Sequence, residues 1–167
     1  MASEKEFISL LNQHQKIVYK VCNLYMDSHA DREDLFQEIT LQAWKAYGSF
    51  RGDAKFSTWL YRVALNTAIT FFRKEKRKPD IYSTDQPPEQ GDEPIDAVEE
   101  QVKAMYAAIG ELSKIDKAIV MLYLEDYSYN GIGEMMGITA NNVAVKMNRV
   151  KIKLKEETKK QLAFTEM

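Results

Sequence analysis

Between Glu4 and Met26 the apolar positions Phe7, Leu11, Val18, Cys22 and Tyr25 recur at three- and four-residue multiples, with no proline or glycine between them. That spacing puts all five on one face of a helix and predicts a single amphipathic helix over this stretch. A second helix is expected from Asp31, whose carboxylate can cap the amides that follow, to Gly48, where a glycine ends it. A third runs from about Phe56 to Lys76, with Phe56, Leu60, Val63, Ala64, Thr67 and Phe71 forming its inner stripe. Further along the chain, helices are expected at about 95–110, 114–125, 128–136 and 139–160. Alternating apolar and polar runs of strand type are absent, so the fold class read from the pattern is all-α.

The two final helices have the spacing of a helix-turn-helix. Two such helices need a small residue where they cross, and Gly133 stands there; four residues on, Gly137 supplies the positive φ of a tight turn. Ile132, Met136, Ile138 and Val143 are placed to fill the small core, and Thr139 to cap the second helix. That second helix has an inward face, Val143, Met147, Val150 and Leu154, beside a polar and basic one, Asn142, Lys146, Arg149 and Lys153. Asn and Arg near a helix N-terminus can hydrogen-bond base edges while lysines reach phosphates. A plain αα-hairpin with a solvated basic face would read the same way.

The first lobe carries a different set of residues. Trp59, Arg62, Asn66, Thr70 and Arg73 form a second stripe along the third helix, which runs on into Arg73-Lys-Glu-Lys-Arg-Lys78. Just upstream, the glycine-bracketed loop Gly48-Ser-Phe-Arg-Gly-Asp-Ala-Lys55 holds Phe50 and two cations. Rings beside amides and positive charge suit unpaired bases, each stacked base contributing about 1–3 kcal/mol. Trp59 as plain core, with a solvated basic helix end, is the rival account. The second helix presents Asp34, Gln37, Glu38 and Leu41 on one face, better suited to a basic protein partner than to a metal, because no histidine stands three or four residues from either carboxylate. His14 and His29 have no nearby cysteine to join them in a metal site.

Charge changes the picture because it is uneven. Residues 1–78 hold 13 Lys+Arg against 9 Asp+Glu, residues 79–100 hold 8 acidic residues and no basic one, and residues 101–167 hold 10 basic against 8 acidic. The formal net charge of −2 thus hides two basic lobes joined by an acidic segment. All four prolines lie between Pro79 and Pro94, which excludes a regular element there and marks an interdomain linker. The domain reading is 1–78, a linker at 79–100, and 101–167. A chain of 167 residues with 45% hydrophobic and 29% charged residues is in the globular range. No apolar run is long enough to span a bilayer, no signal peptide precedes the first helix, and a lone Cys22 fits a reducing compartment, so a cytoplasmic location is expected. P-loop, dinucleotide, G-x-S-x-G and zinc signatures are missing, which argues against an enzyme and for no cofactor or metal.

Asp31-Arg-Glu-Asp-Leu-Phe-Gln-Glu-Ile-Thr-Leu-Gln-Ala-Trp44, followed by Ser49-Phe-Arg-Gly-Asp-Ala-Lys-Phe-Ser-Thr-Trp-Leu-Tyr-Arg-Val-Ala-Leu-Asn66, resembles region 2 of bacterial RNA polymerase sigma factors of the extracytoplasmic function (ECF) subfamily. The stretch 127–151 resembles their region 4. The resemblance implies two helical domains, core RNA polymerase and promoter DNA as partners, and no small-molecule substrate or membrane insertion. By this resemblance Asp34, Gln37, Glu38 and Leu41 would grip the clamp helices of the largest polymerase subunit, while the second domain meets the flap of the second-largest. Phe50, Arg51, Gly52, Lys55, Trp59, Arg62, Asn66 and Arg73 would read and melt the −10 element, with Phe50, Arg51 and Gly52 capturing a flipped base. Asn141, Asn142, Lys146, Asn148, Arg149 and Lys153 would read the −35 element. The acidic linker would thread the polymerase channels, its carboxylates standing in for phosphates, and an anti-sigma factor would hold the protein inactive.

Two departures from the family pattern stand out. Asn130-Gly131 replaces two helix-forming polar residues, so the first helix of the motif is expected to start late. Ala144 and Val145 replace longer polar or basic side chains, which leaves thymine methyl groups as partners for them. The rival from another class is a stand-alone helix-turn-helix repressor or activator, with the first lobe as a dimerisation or ligand module. It would bind duplex operator by itself, as a symmetric dimer.

Overall fold

Eight helices make up the described residues, 4–75 and 97–165, of this computed structural model, with no strand among them. In order they are α1 (Glu4–Gln13), α2 (Gln15–Tyr25), α3 (His29–Tyr47), α4 (Phe56–Glu75), α5 (Ala97–Gly110), α6 (Lys114–Leu124), α7 (Tyr129–Met136) and α8 (Ala140–Thr165). The chain divides into two compact units, Met1–Pro88 and Glu89–Met167. The expected linker lies outside the described residues, apart from Ala97–Glu100, which form the first turn of α5. None of the described helices is long and apolar enough to cross a membrane.

In the first unit, α4 packs against both α2 and α3 and contributes Leu60, Tyr61, Ala64, Leu65 and Ala68 to the core. Leu35, Ile39 and Ala43 come in from α3, and Ile17, Val18, Val21 and Cys22 from α2. Each fully buried leucine of this set is worth roughly 1.5–3 kcal/mol relative to leaving it in water. Burial pushes the Cys22 thiol up to about 11, with the Arg32 charge pulling the other way. Arg32 itself donates from Nε to the Met26 carbonyl at 2.9 Å, satisfying the end of α2 and fixing where α3 begins.

Two boundaries differ from the sequence reading. The single helix expected over Glu4–Met26 is two helices, because His14 sits at φ −116°, ψ 20°. Its Nδ1 lies 2.9 Å from the Leu10 carbonyl and its amide reaches Leu10 and Leu11, a local turn that resets the helical phase. All five expected core positions stay buried, and Ile17 and Val21 join them after the reset. α3 is capped by Ser28, whose hydroxyl accepts from the Asp31 amide at 3.1 Å. Asp31 is a first-turn residue there, where a negative charge favours the positive end of the helix.

The second unit is built on α8, which α5, α6 and α7 all pack against. Ala104, Ala108, Ile109, Leu112, Ala118, Ile119, Val120, Leu122, Ile132, Met135, Val143, Met147 and Val150 are its buried apolar set. Ser113 caps α6 by accepting from the Asp116 amide. The helix closes through Asp126 at φ 68°, with Asp126 N–H donating to the Tyr123 carbonyl and Tyr127 N–H to that of Leu122. This is a left-handed helix stop built with an aspartate where glycine is the usual choice.

Candidate nucleic-acid interface

The helix-turn-helix forms as the glycine spacing predicts. α7 begins on time at Tyr129 rather than late, because Gly131 contributes its amide instead of a side chain: Gly131 N–H donates to Ser128 Oγ at 3.0 Å. At the far end Gly137 adopts φ +74°, and both its amide and that of Ile138 donate to the Gly133 carbonyl. A Cβ on Gly133 would meet the Ile138 carbonyl oxygen at 2.5 Å, so the small residue is needed where the turn folds back on α7. Thr139 caps α8, its Oγ1 accepting from the Asn142 amide at 3.1 Å. Ile132, Val143, Met147 and Val150 are buried, while Met136, Ile138 and Leu154 are half-buried.

Away from the buried side of α8, Asn141, Asn142, Asn148, Arg149 and Lys153 are exposed and Lys146 is half-buried. Residues 140–155 hold five cations and no carboxylate. One of those cations, Lys151, is turned aside: its Nζ lies 5.1 Å from the centre of the Tyr123 ring on α6. The sequence reading missed Tyr123, for which an aromatic at the end of an apolar helix gave no signal.

The first unit assembles a connected set of rings. Phe7 stacks on Trp44 at 5.3 Å and on Tyr47 at 5.2 Å between centroids. Phe50 is held against Trp59 at 5.3 Å and edge-on to Phe56 at 5.8 Å, and Phe56 lies 5.4 Å from Trp59. Both Phe50 and Trp59 are half-buried, so each packs one part of its ring and leaves the rest open. The loop between them turns at Gly52, φ +79°, and exposes Arg51, Asp53, Ala54 and Lys55. Asp53 shares this rim with the two cations.

Asn66 and Arg62 are exposed on α4. Asn66 lines a pocket of about 340 Å³ with Thr67, Thr70 and Phe71 of α4 and with Glu38 and Gln42 of α3. The hydroxyls of Thr67 and Thr70 bond carbonyls of their own helix, and Gln42 Nε2 donates to Glu38 Oε1 at 3.1 Å. The structure thus brings together Glu38 and Asn66, which sequence reasoning had put in separate sites. Gln42 was legible only as the i+4 neighbour of Glu38. Arg73 lies in the last part of α4, where side chains are outside the described residues.

The outward face of α3 presents Asp34, Gln37 and Leu41, all exposed. Gln37 and Leu41 also border a mostly apolar groove of about 410 Å³ between α1 and α3, shared with Glu4 at its edge and with Phe7, Ile8, Leu11, Phe36, Thr40 and Trp44. Ile8, Phe36 and Trp44 were not anticipated there, since nothing in the periodicity separates a core ring from a groove wall. Among the described residues no group of three His, Cys, Asp or Glu side chains could hold a metal ion. His14 packs near Phe56, and His29 Nε2 lies 3.2 Å from Glu33 on the exposed start of α3.

Comparison with known proteins fits this geometry. Residues 10–78 match the family described as Sigma-70 region 2, and residues 103–154 match Sigma-70, region 4. The chain is 26% identical over 161 residues to the RNA polymerase sigma-H factor of Pseudomonas aeruginosa, covering 89% of this chain and 83% of that protein. It is 29% identical over 166 residues to the ECF RNA polymerase sigma factor SigW of Bacillus subtilis, covering 90% and 88%. Against the ECF RNA polymerase sigma-E factor of Escherichia coli, identity is 38% over 82 residues, 49% of this chain and 42% of that one. In fold it is similar to the sigma factor RpoE, solved with the anti-sigma factor NepR from Bartonella quintana, at a TM-score of 0.69 and 19% identity over 93% of this chain and 98% of that one. CnrH, solved with the cytosolic domain of CnrY, gives 0.63 and 18% over 93% and 88%. A first unit that matches region 2 takes away the ground for a stand-alone regulator with an unrelated first lobe. With region 2 and region 4 in order along one polypeptide, the chain belongs to the sigma-70 family of RNA polymerase sigma factors, in its extracytoplasmic function branch.

Proposed function

We propose that this protein joins core RNA polymerase in the cytoplasm and directs it to promoters through two separate DNA contacts, with no chemistry of its own. The observation that carries the proposal is the pairing of a region 2 unit with a region 4 helix-turn-helix whose outer face is polar and basic. Residues 1–78 form the polymerase-binding and −10 domain, 79–100 the acidic linker, and 101–167 the −35 domain. Asp34, Gln37, Glu38 and Leu41 dock on the clamp helices of the largest subunit, and the second domain on the flap of the second-largest. The loop Phe50-Arg51-Gly52 with Lys55, Trp59, Arg62, Asn66 and Arg73 opens and reads the −10 element. Extruding a base costs a few kcal/mol of stacking, which a pre-built rim of rings, amides and cations offsets. Asn141, Asn142, Lys146, Asn148, Arg149 and Lys153 read the −35 element in the major groove.

An anti-sigma factor is a further proposed partner, supported by the fold neighbour RpoE having been solved with the anti-sigma factor NepR. The test of the central reading is a pull-down of the purified chain with bacterial core RNA polymerase, beside a Gln37→Ala/Glu38→Ala variant. Saturable binding by the wild type and its loss in the folded variant are the expected results. No binding by folded wild-type protein would overturn the reading.

A further inference from the structure

The outermost line of α8 is not the polar stripe that periodicity singles out. Val143, Met147, Val150 and Leu154 define the inward side; diametrically opposite run Asn141, Val145, Asn148 and Ile152, spaced by 4, 3 and 4 residues. Among these, Val145 is 42% exposed, an apolar branched side chain flanked by Asn141, Asn142, Asn148 and Arg149. Among the described residues, no partner holds the side chains of those four polar neighbours, so all are free to reach a ligand. Val145 also lies about 7.5 Å along the helix from its first residue, whereas Ile152 lies about 18 Å along. The major groove is about 12 Å wide and takes the N-terminal part of a recognition helix, so it admits Val145 and leaves Ile152 beyond its edge.

The apolar group that a base pair presents in the major groove is the C5-methyl of thymine; the other positions there are donors or acceptors. A valine at the pole of a reading helix removes water from whatever edge it meets and offers no hydrogen bond in return. Against an amino or keto group that exchange is unfavourable, and against a methyl group it is favourable. We infer that Val145 selects a thymine at one position of the −35 element by contact between its methyl groups and the C5-methyl of the base. This rests on the reading of α8 as the −35 recognition helix and adds to it the identity of one base. Asn141 and Arg149, on either side of Val145, then read the neighbouring pairs by hydrogen bonds.

The test uses full-length protein assembled with core polymerase, and a promoter duplex selected by that holoenzyme from a pool randomised across the −35 segment. Each selected thymine is replaced in turn by deoxyuridine, which deletes the methyl group and keeps every hydrogen-bonding atom. At one position the replacement is expected to weaken binding about threefold to fivefold, the worth of one buried methyl group. In Val145→Ala the same replacement is expected to have no effect, because the contact is already gone. Val145 is exposed and alanine is the better helix former, so the variant keeps its fold. Val145→Asn, put through the same selection, is expected to replace thymine at that position by another base.

Deoxyuridine substitution without effect on the wild type overturns the inference, as does an equal effect on wild type and Val145→Ala. Arg149→Ala, run alongside, tells the two levels apart. If it weakens −35 binding while the valine and the methyl group remain uncoupled, the thymine contact falls and the recognition helix stands. If Arg149→Ala leaves binding and promoter preference unchanged as well, the assignment of α8 falls with it.

Discussion

The three glycines of the helix-turn-helix should respond to the same substitution in three different ways. Replacing glycine by alanine inside a helix ordinarily stabilises by ~1 kcal/mol. At Gly133 the added Cβ would stand 2.5 Å from the Ile138 carbonyl oxygen, well inside the 3.0 Å that real Cβ atoms essentially never breach, and the obstacle is backbone. Relieving it pushes the turn away from α7 and strains the two hydrogen bonds that Gly137 and Ile138 donate to the Gly133 carbonyl. Overpacking of this kind costs about 1–3 kcal/mol and each weakened hydrogen bond about 0.5–1.5. Set against the propensity gain, Gly133→Ala is expected to destabilise the second unit by ~2 kcal/mol, lowering its midpoint by about 8–16 °C for a unit of this size. Gly137→Ala meets no atom within 4 Å but must hold φ +74°, for ~1 kcal/mol. Gly131→Ala brings Cβ to 3.3 Å from Ser128 Oγ, a movable hydroxyl, so crowding of the cap and gained propensity roughly cancel. Thermal unfolding followed by far-ultraviolet circular dichroism would rank the variants. A Gly133→Ala protein as stable as the wild type would refute the close-approach argument.

Other perturbations test other parts of the structure. Asp126 holds φ 68° at the end of α6, so Asp126→Gly should stabilise by ~0.5 kcal/mol, while β-branched Asp126→Val should cost ~1–2 in the same unfolding assay. The Cys22 thiol is raised from 9.0 to about 11 by burial, so the folded state keeps its proton over a range where the unfolded chain loses it. That contribution is complete below pH 9 and is lost as pH climbs towards about 11. Denaturant titrations across this window should show a shallower loss of stability in Cys22→Ala than in wild type, because the tyrosines that share the trend are present in both. Asn66→Ala should impair promoter opening, read by permanganate reactivity of unpaired thymines, and leave core binding intact. Equal loss of both would remove Asn66 from the −10 site.

Helix type was legible from periodicity and glycine placement because the buried positions of each helix share one face, but seven helices were expected where eight form among the described residues. The boundary at His14 was not: the apolar spacing from Phe7 to Tyr25 is compatible with an unbroken helix, and the break comes from one residue's backbone. The cap of α3 was misplaced by three residues because Ser28 and Asp31 are both good caps, and only the amide direction chooses between them. At the sites, exposure followed from the stripes, but contacts between helices did not. The pocket that joins Glu38 to Asn66 depends on how α3 lies across α4, and one-dimensional spacing holds no information about a crossing. Val145 was visible as a departure from the family pattern. Its position at the pole of α8 required knowing which residues the rest of the unit covers.

The ring cluster of the first unit also makes the protein optically asymmetric. Both tryptophans of the chain, Trp44 and Trp59, lie there, while the second unit absorbs through tyrosines alone. Tryptophan emission is therefore a private channel for the first unit, and Trp59 sits half-open beside Phe50 where a stacked base would quench it. A Gly133 variant should melt silently in that channel while its helical signal falls. Single-stranded promoter DNA should do the reverse, dimming the emission with no helix lost.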